Sequence, residues 1–336
     1  MAATLFDVSE RANVSTATVS RVINGSELVK EATRSVVMKA VKELGYKPSY
    51  AARSLVKKRT DTLGVIFPSI DNGFFAEVLK GIYSYAAKQD YHLVTGFSHG
   101  VSDEQKLVER FLLEGRVDTL ILMDLELPDA FIKSLSNETT PIVLLDKPSN
   151  MKHLMSVSMD NQQGMREIIR YLTQKRGFKN AAVITGPAFS YDGIERITGC
   201  QAAAAEFGLE LDPKWTKEGT FVEDRGYEIM SDWLKNGDKL PDVIIAHNDA
   251  MAFGALTALR EKGLEVPRDV ALVGFDDAPG ARQVGLTTIQ VPMREMGEAA
   301  ARVALGKITG MNVPKQQIIP TSLVVRTSCG ANAITS

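Results

Sequence analysis

Cysteine is almost missing from this chain: Cys200 and Cys329 are the only two in 336 residues, with no metal-ligand spacing and no neighbouring histidine. Two cysteines cannot build a disulfide framework, so a buried thiol and a tail thiol are expected. Histidine is nearly as scarce, and His92, His99, His153 and His247 form no metal-binding pattern. No apolar run reaches the roughly 18 residues that a membrane span needs. The opening MAATLFDVSERA lacks the basic start and apolar stretch of a secretory signal, which predicts a cytoplasmic protein. Catalytic signatures are missing as well. No GxGxxG or Walker loop follows a strand-like run, and neither GxSxG nor HExxH occurs. No enzyme, cofactor or metal site is expected.

What is present is a globular composition, 44% hydrophobic and 24% charged, on a chain long enough for two or three domains. The net charge of −2 hides a split. Residues 1–60 hold eleven Lys and Arg against five Asp and Glu, a balance of +6, and the remainder carries −8. A small basic head on an acidic body is the asymmetry expected where the head alone meets a polyanion. It also argues against a secreted binding protein.

The head reads as a helix-turn-helix. Thr4, followed by Asp7, opens a short amphipathic helix to Ala12. Asn13-Val14 turn, Ser15 caps a second helix from Thr16 to Ile23, and Asn24-Gly25 stop it. Val8, Ala12, Val14, Val19 and Val22 are spaced to lock the two helices together, and a third helix, about Glu31 to Leu44, ends at Gly45. Thr16, Ala17, Thr18, Ser20 and Arg21 stay outside that core. Thr16 and Ala17 are short enough for a thymine methyl, and Arg21 is long enough for a guanine edge or a phosphate. Thr4, Ser15 and Asn24, at the helix ends, complete the candidate DNA contacts. A solvated polar face on a small bundle is the competing reading.

LFDVSERANVSTATVSRVING, followed by GYKPSYAARSLVKKRT, closely resembles the lactose-repressor (LacI/GalR) family of bacterial regulators. The resemblance implies that the second segment is a hinge, folding into a short helix on operator DNA. There Leu55 would wedge into the minor groove with its counterpart from a second subunit, Ala52 beside it and Ser49 near the helix start. The residues suit that role: Pro48 opens the segment, Ala51-Ala52 permit close approach, and Lys57-Lys58-Arg59 neutralise phosphate. Without the resemblance it reads as a linker. The chain departs from the family at Val29-Lys30, where a Ser or Thr usually caps the third helix. The expected domains are 1–48, 49–60 and 61–336.

From Thr62 onward, short β-rich runs (TLGVIFP, YHLVTGF, TLILM, PIVLLD) alternate with amphipathic helices. A second series follows with AAVITG, VIIAHN and VALVGFDD. Repeated βα units predict an α/β body of parallel sheets, and two series in tandem predict two lobes. Ligands in such folds bind beyond the carboxyl ends of the strands, so the cleft between lobes is the expected site. The polar residues there are Asp71-Asn72, Asp124, Asp146, Asn248-Asp249 and Asp276-Asp277, with aromatics Phe74, Phe75 and Phe221 and with Arg196 in a following helix. Carboxylates and amides bind hydroxyls in pairs, and an aromatic face packs on a sugar ring. Strand-end capping is the plainer role for any one of them. His247 reads as a strand-end polar residue rather than a base.

The body resembles the same family, and so the fold of periplasmic sugar-binding proteins, through FFAEVLKGI, MDNQQG, ERITGC, AHNDAMAFGAL, VPRDVALVGFDD and LTTIQVP. The resemblance implies that Phe75, Asp146, Arg196, Phe221, Asn248 and Asp276 contact an effector, with Phe74, Asp124 and Asp192 as adjacent candidates. The purine-repressor branch has an Arg and a Thr where this chain has Ser190 and Asp192, which weighs against a purine. Where other branches have a polar residue after TTI that touches sugar, Val291 follows Gln290. A sugar or sugar derivative is the expected effector; a nucleoside, another metabolite or a partner protein are the alternatives. Double-stranded operator DNA and a second copy of the chain are the expected partners. The tail GANAITS is too short and polar for the added helix of the family's tetramers, which favours a dimer.

Overall fold

The computed structural model describes residues 3–47, 59–69, 73–98, 101–123, 127–135, 140–151 and 154–330. Contacts divide the chain into two units, Met1–Thr60 and Asp61–Ser336.

In the first unit, Thr4 opens α1 (Leu5–Ala12) with a full capping box. The Asp7 N–H donates to Thr4 Oγ1 at 3.3 Å, and the Thr4 N–H donates to the Asp7 carboxylate at 2.7 Å. Asn13 ends the helix in the left-handed region, φ 52°. Ser15 caps α2 (Thr16–Ile23) by accepting the Thr18 N–H at 3.2 Å. Helix α3 (Glu31–Glu43) starts at Lys30 with no side-chain cap, and Arg34 instead donates back to the Ser26 carbonyl at 2.8 Å. Val8, Ala12, Val19, Val22, Val37 and Ala40 form the buried core, with Val14 packed at its edge. Each buried valine is worth about 1.5–3 kcal/mol. With so few of them, the helix caps carry a real share of the head's stability.

The second unit holds two parallel sheets. In the first lobe, β1 (Thr62–Phe67), β2 (His92–Phe97), β3 (Thr119–Met123), β4 (Ile142–Leu145) and β5 (Leu154–Met159) alternate with α4 (Gly73–Lys88), α5 (Val101–Leu112) and α6 (Asp129–Leu135). In the second, β6 (Asn180–Thr185), β7 (Glu210–Glu218), β8 (Val243–Ala246) and β9 (Ala271–Val273) alternate with α8 (Tyr191–Phe207), α9 (Glu223–Lys235) and α10 (Asp249–Glu261). Helix α7 (Asn161–Gln174) precedes β6 and packs on α8. The second sheet has the order β7-β6-β8-β9. Strands β1, β3, β4, β5 and β8 are buried along their whole length, as expected for strands covered on both faces.

The tandem expectation needs one correction. After β10 (Thr288–Gln290) the chain returns to the first lobe. Helix α11 (Met293–Ile308) packs on α4 and on β3 to β5, and β11 (Gln316–Ile319) joins β5 in parallel, giving the order β11-β5-β4-β3-β1-β2. The chain then re-enters the second lobe, where β12 (Ser322–Val324) pairs antiparallel with β10. The lobes are thus joined by three crossovers, near residues 160, 291 and 321. The α4–α11 contact is close because it is made of glycine: a Cβ on Gly81 would meet the Arg294 carbonyl, and one on Gly297 the Val78 carbonyl. Cys329, the tail thiol, is buried like Cys200, within hydrogen-bond reach of Thr287 Oγ1 at 3.0 Å.

Candidate functional site

In the head, Thr16, Ala17 and Arg21 are exposed on α2, while Thr18 and Ser20 are half-buried. Several candidates already carry local bonds. The Thr4 hydroxyl is held by Asp7 at 2.8 Å, Ser15 and Thr18 share a hydroxyl bond at 2.9 Å, and Asn24 Nδ2 donates to Ser20 Oγ at 3.3 Å. These five shape the helix ends and set the pose of Thr16, Ala17 and Arg21. Ala52 and Leu55, with the hinge around them, lie outside the described residues.

In the body, Asp192, Arg196, Phe221, Asn248 and Asp276 come together at the carboxyl ends of β6, β7, β8 and β9. Arg196, 3% exposed, is the hub. Its Nε donates to Asn161 Oδ1 at 2.8 Å, Nη1 donates to the His247 carbonyl at 2.5 Å and lies 3.4 Å from Asp276 Oδ1, and Nη2 lies 3.5 Å from Met159 Sδ. Its guanidinium sits 3.9 Å from the Phe275 ring centre and 5.5 Å from that of Phe221. Asn161 Nδ2 donates to Asp192 Oδ1 at 2.7 Å. Asn248 caps α10 through Met251 N–H and donates to the Phe221 carbonyl at 2.9 Å, so it serves a structural role and a positioning one together. Two residues of the cluster, Phe221 and Asp276, have positive φ, at 63° and 121°. Phe221 fits because its ring occupies the space that a Cβ on Gly186 would fill.

The charges are unbalanced. Burial, and then the neighbouring Asp192, push the Asp276 carboxyl up to about 7, against the opposing pull of Arg196. Burial also raises Asp192 and, with Asp276, raises Asp249 well above the usual carboxylate range. Asp249 spends both oxygens internally, on Thr288 Oγ1 at 2.6 Å and the Ala278 N–H at 2.8 Å. His247 is wholly buried and neutral, held down to about 3 by desolvation and by Arg196. Its Nδ1 accepts the Gly186 N–H at 3.3 Å. A histidine in that state takes no proton at neutral pH, so it is no general base. Among the described residues no cluster of His, Cys, Asp and Glu suits a metal ion, and no helix is long and apolar enough to cross a membrane.

Comparison with known proteins places this arrangement. Residues 4–49 match the model for bacterial regulatory proteins of the lacI family, and residues 170–329 match the periplasmic binding protein-like domain. The chain is 35% identical to the HTH-type transcriptional repressor PurR of Klebsiella pneumoniae, across 94% of this chain and 93% of that one. This chain belongs to the LacI family of bacterial regulatory proteins. Among solved structures it is similar to the Lac repressor dimer bound to operator and the anti-inducer ONPF, at TM-score 0.84 and 28% identity over 98% of this chain and all of that one. It is similar also to a transcriptional regulator CelR–cellobiose complex, at TM-score 0.72 and 31% identity over 97% and 99% of the two chains. These relatives are transcriptional regulators rather than enzymes.

Not every candidate in this LacI-family chain joins the cluster. Phe74 is 6% exposed and belongs to the apolar core, edge-on to the half-buried Phe75. Asp146 ends β4, with its N–H donating to the Val157 carbonyl at 2.9 Å. Asp124 and Asp71-Asn72 lie outside the described residues. A cavity of about 600 Å³ lies elsewhere among the described residues, lined by Glu77, Asp277, Arg282, Gln290, Arg294 and Arg326. Two of its arginines are already paired, Arg326 with Asp277 at 2.7 Å and Arg294 with Glu77 at 2.5 Å. Asn161 was missed in the sequence: MDNQQG marks a helix start there, and nothing local reveals a bond to residues 31 and 35 positions away.

Proposed function

We propose that this LacI-family regulator is a ligand-responsive repressor that binds a palindromic operator as a dimer and takes an uncharged, polyhydroxylated effector, a sugar, in the cleft of its body, with no catalytic turnover. One observation carries the reading: Arg196 and Asp276 belong at once to the polar cluster and to the crossovers between lobes. The Asp276 N–H donates to the Ile289 carbonyl at 2.8 Å and its carbonyl accepts the Val291 N–H at 3.1 Å, while Arg196 reaches Met159. An occupant that contacts these groups changes the footing of both lobes, which is how a ligand biases a two-state body. A roughly 100-fold preference for one state supplies about 2.8 kcal/mol, enough to switch operator occupancy.

The chemistry favours hydroxyl donors. Arg196 commits Nε and Nη1 inside the protein, and Asp276 Oδ1, which faces Arg196 Nη1 as an ion pair at 3.4 Å, is buried with no donor in hydrogen-bond geometry. The occupant must therefore bring O–H or N–H groups, and a phosphate or carboxylate would face carboxylates. The similar structure that holds cellobiose agrees with this. A purine base is the second reading, favoured by the kinship to the purine repressor, since ring N–H groups would also satisfy Asp276. Ser190 and Asp192 weigh against it: Ser190 Oγ accepts the Gly193 N–H at 2.9 Å to cap α8, and Asp192 is held by Asn161.

Two experiments test the proposal. Selection from a random duplex pool with full-length protein should enrich a palindrome of about 14–20 base pairs. Titration calorimetry with glucose, ribose, lactose, cellobiose, hypoxanthine and guanine should find a sugar binder whose heat disappears in Arg196→Ala. Binding of a purine alone would overturn the sugar assignment and leave the regulator intact.

A further inference from the structure

We propose that Asn161 is a positioning residue that stands between Asp192 and Arg196 and keeps the two from closing into an ion pair with each other. The importance of that spacing for ligand binding rests on the reading of the cleft above. Asp192 and Arg196 are four residues apart on α8, the separation at which acidic and basic neighbours on a helix pair. Yet the ion pair Arg196 makes is with Asp276. What lies against Asp192 is the Asn161 amide, Nδ2 to Oδ1 at 2.7 Å, and the same side chain's Oδ1 accepts Arg196 Nε–H at 2.8 Å. One carboxamide thus donates to the carboxylate and accepts from the guanidinium. Among side chains of this length asparagine alone does both: aspartate repels Asp192, and leucine satisfies neither partner.

The amide is held in place by packing. Asn161 is 2% exposed and is the first residue of α7, directly after the crossover at Asp160. Asp160 caps that helix by accepting the Gln163 N–H at 3.1 Å, and Thr321 Oγ1 of a second crossover donates to the Asp160 carbonyl at 3.2 Å. Helix α7 lies so close to α8 that a Cβ on Gly199 would sit 2.8 Å from the Gln162 Cα. The carboxamide is therefore delivered by the crossover itself. Its effect is to leave the second oxygen of Asp192, which is half-buried, and the Arg196–Asp276 pair for a ligand. A shift of that crossover would move the spacer directly.

The test reads the protein without any ligand, so its failure is distinct from failure of the effector assignment. Asp192 is titrated by carbon-13 carboxyl NMR in full-length wild type, Asn161→Ala and Asn161→Asp, with Asp192→Asn to assign the signal. The titratable groups that act on it are Arg196, Glu195, Asp276 and Tyr191, with Asp160 beyond Tyr191 and His247 beyond Arg196, and all three proteins share the whole set. If Asn161 is a spacer, Asn161→Ala lets Asp192 close on Arg196, and its pKa falls by about 1–3. Asn161→Asp instead raises it, through a second carboxylate. A pKa that rises or stays unchanged in Asn161→Ala, as loss of one hydrogen bond alone would give, overturns the proposal. Should Asn161→Ala fail to fold, Asn161→Ser carries the same expected sign.

Discussion

Arg196 and Asp276 form an ion pair at 3.4 Å with side chains only 4% and 6% exposed, and the backbone of Asp276 is bonded on both sides to the crossover strand at Ile289 and Val291. Removing one partner of a buried pair leaves the other charge without compensation, which costs about 3–5 kcal/mol. Asp276 softens this by taking a proton, since its carboxyl already titrates near 7. Arg196→Met is therefore expected to lose about 3 kcal/mol, near the low end, with the loss larger at pH 8 than at pH 6. Urea midpoints at the two pH values check this. A midpoint equal to wild type at both would mean that the pair contributes nothing.

The buried histidine gives an acid-side prediction of opposite sign. His247 is held down to about 3, so as pH falls below about 6.5 the unfolded chain gains a proton there that the folded chain refuses. Its contribution to stability is lost on acidification, at about 1.4 kcal/mol for each pH unit. Asp276, raised to about 7, acts the other way: its contribution is full below about 4 and is lost as pH rises through 7. The two slopes offset one another between about pH 4 and 6.5. In His247→Gln the histidine slope is gone. Relative to wild type, that variant should gain about 2 kcal/mol between pH 7 and pH 5. Equal pH profiles for the two proteins would show that folding leaves the titration of His247 unchanged, against the lowering that burial imposes.

Much of this architecture is legible from residues because the signals are local. Thr4 with Asp7, Ser15 and Gly25 punctuate the head, and runs such as TLGVIF and VIIA read as strands buried on both faces. The return of the chain to the first lobe is not local. QQII is only four residues long and half exposed, and its partner LMSVSM pairs with it across more than 150 positions. The candidate site divides in the same way. Arg196, Asp276 and Phe221 stand out as polar or aromatic residues at strand ends, but the commitment of the Arg196 donors to Asn161 and to the His247 carbonyl is a tertiary fact. So is the exclusion of Phe74, whose neighbour Phe75 carries the same sequence signal.

The glycine contact between α4 and α11 ties the returning segment to the first lobe. A methyl group on Gly297 would run into the Val78 carbonyl and crowd the Ile82 N–H, both main-chain groups that cannot rotate away. Overpacking of this kind costs about 1–3 kcal/mol. Gly297→Ala should lower the thermal midpoint of the body accordingly, whereas Gly310→Ala, where no atom lies within 4 Å but φ is 75°, should show only backbone strain. Calorimetry on the two variants separates steric from conformational cost, and an unshifted Gly297→Ala midpoint would mean that the helices part freely.

The head supplies the last prediction. Arg21 is exposed in the final turn of α2, on the helix that carries exposed Thr16 and Ala17, and Val19 and Val22 fix that helix in the core. A guanidinium reaching a base edge and one reaching a phosphate leave different signatures. Base contact is worth about 1–3 kcal/mol of discrimination at one position, and its loss relaxes specificity there. Phosphate contact lowers affinity for all sequences alike and reduces the salt slope by about one. Arg21→Ala is expected to weaken operator binding by about tenfold or more, with the loss confined to the cognate site and the salt slope nearly kept. Binding isotherms on cognate and scrambled duplexes at several salt concentrations read both quantities. Equal weakening on the two duplexes would assign Arg21 to the phosphate backbone and leave base reading to Thr16 and Ala17.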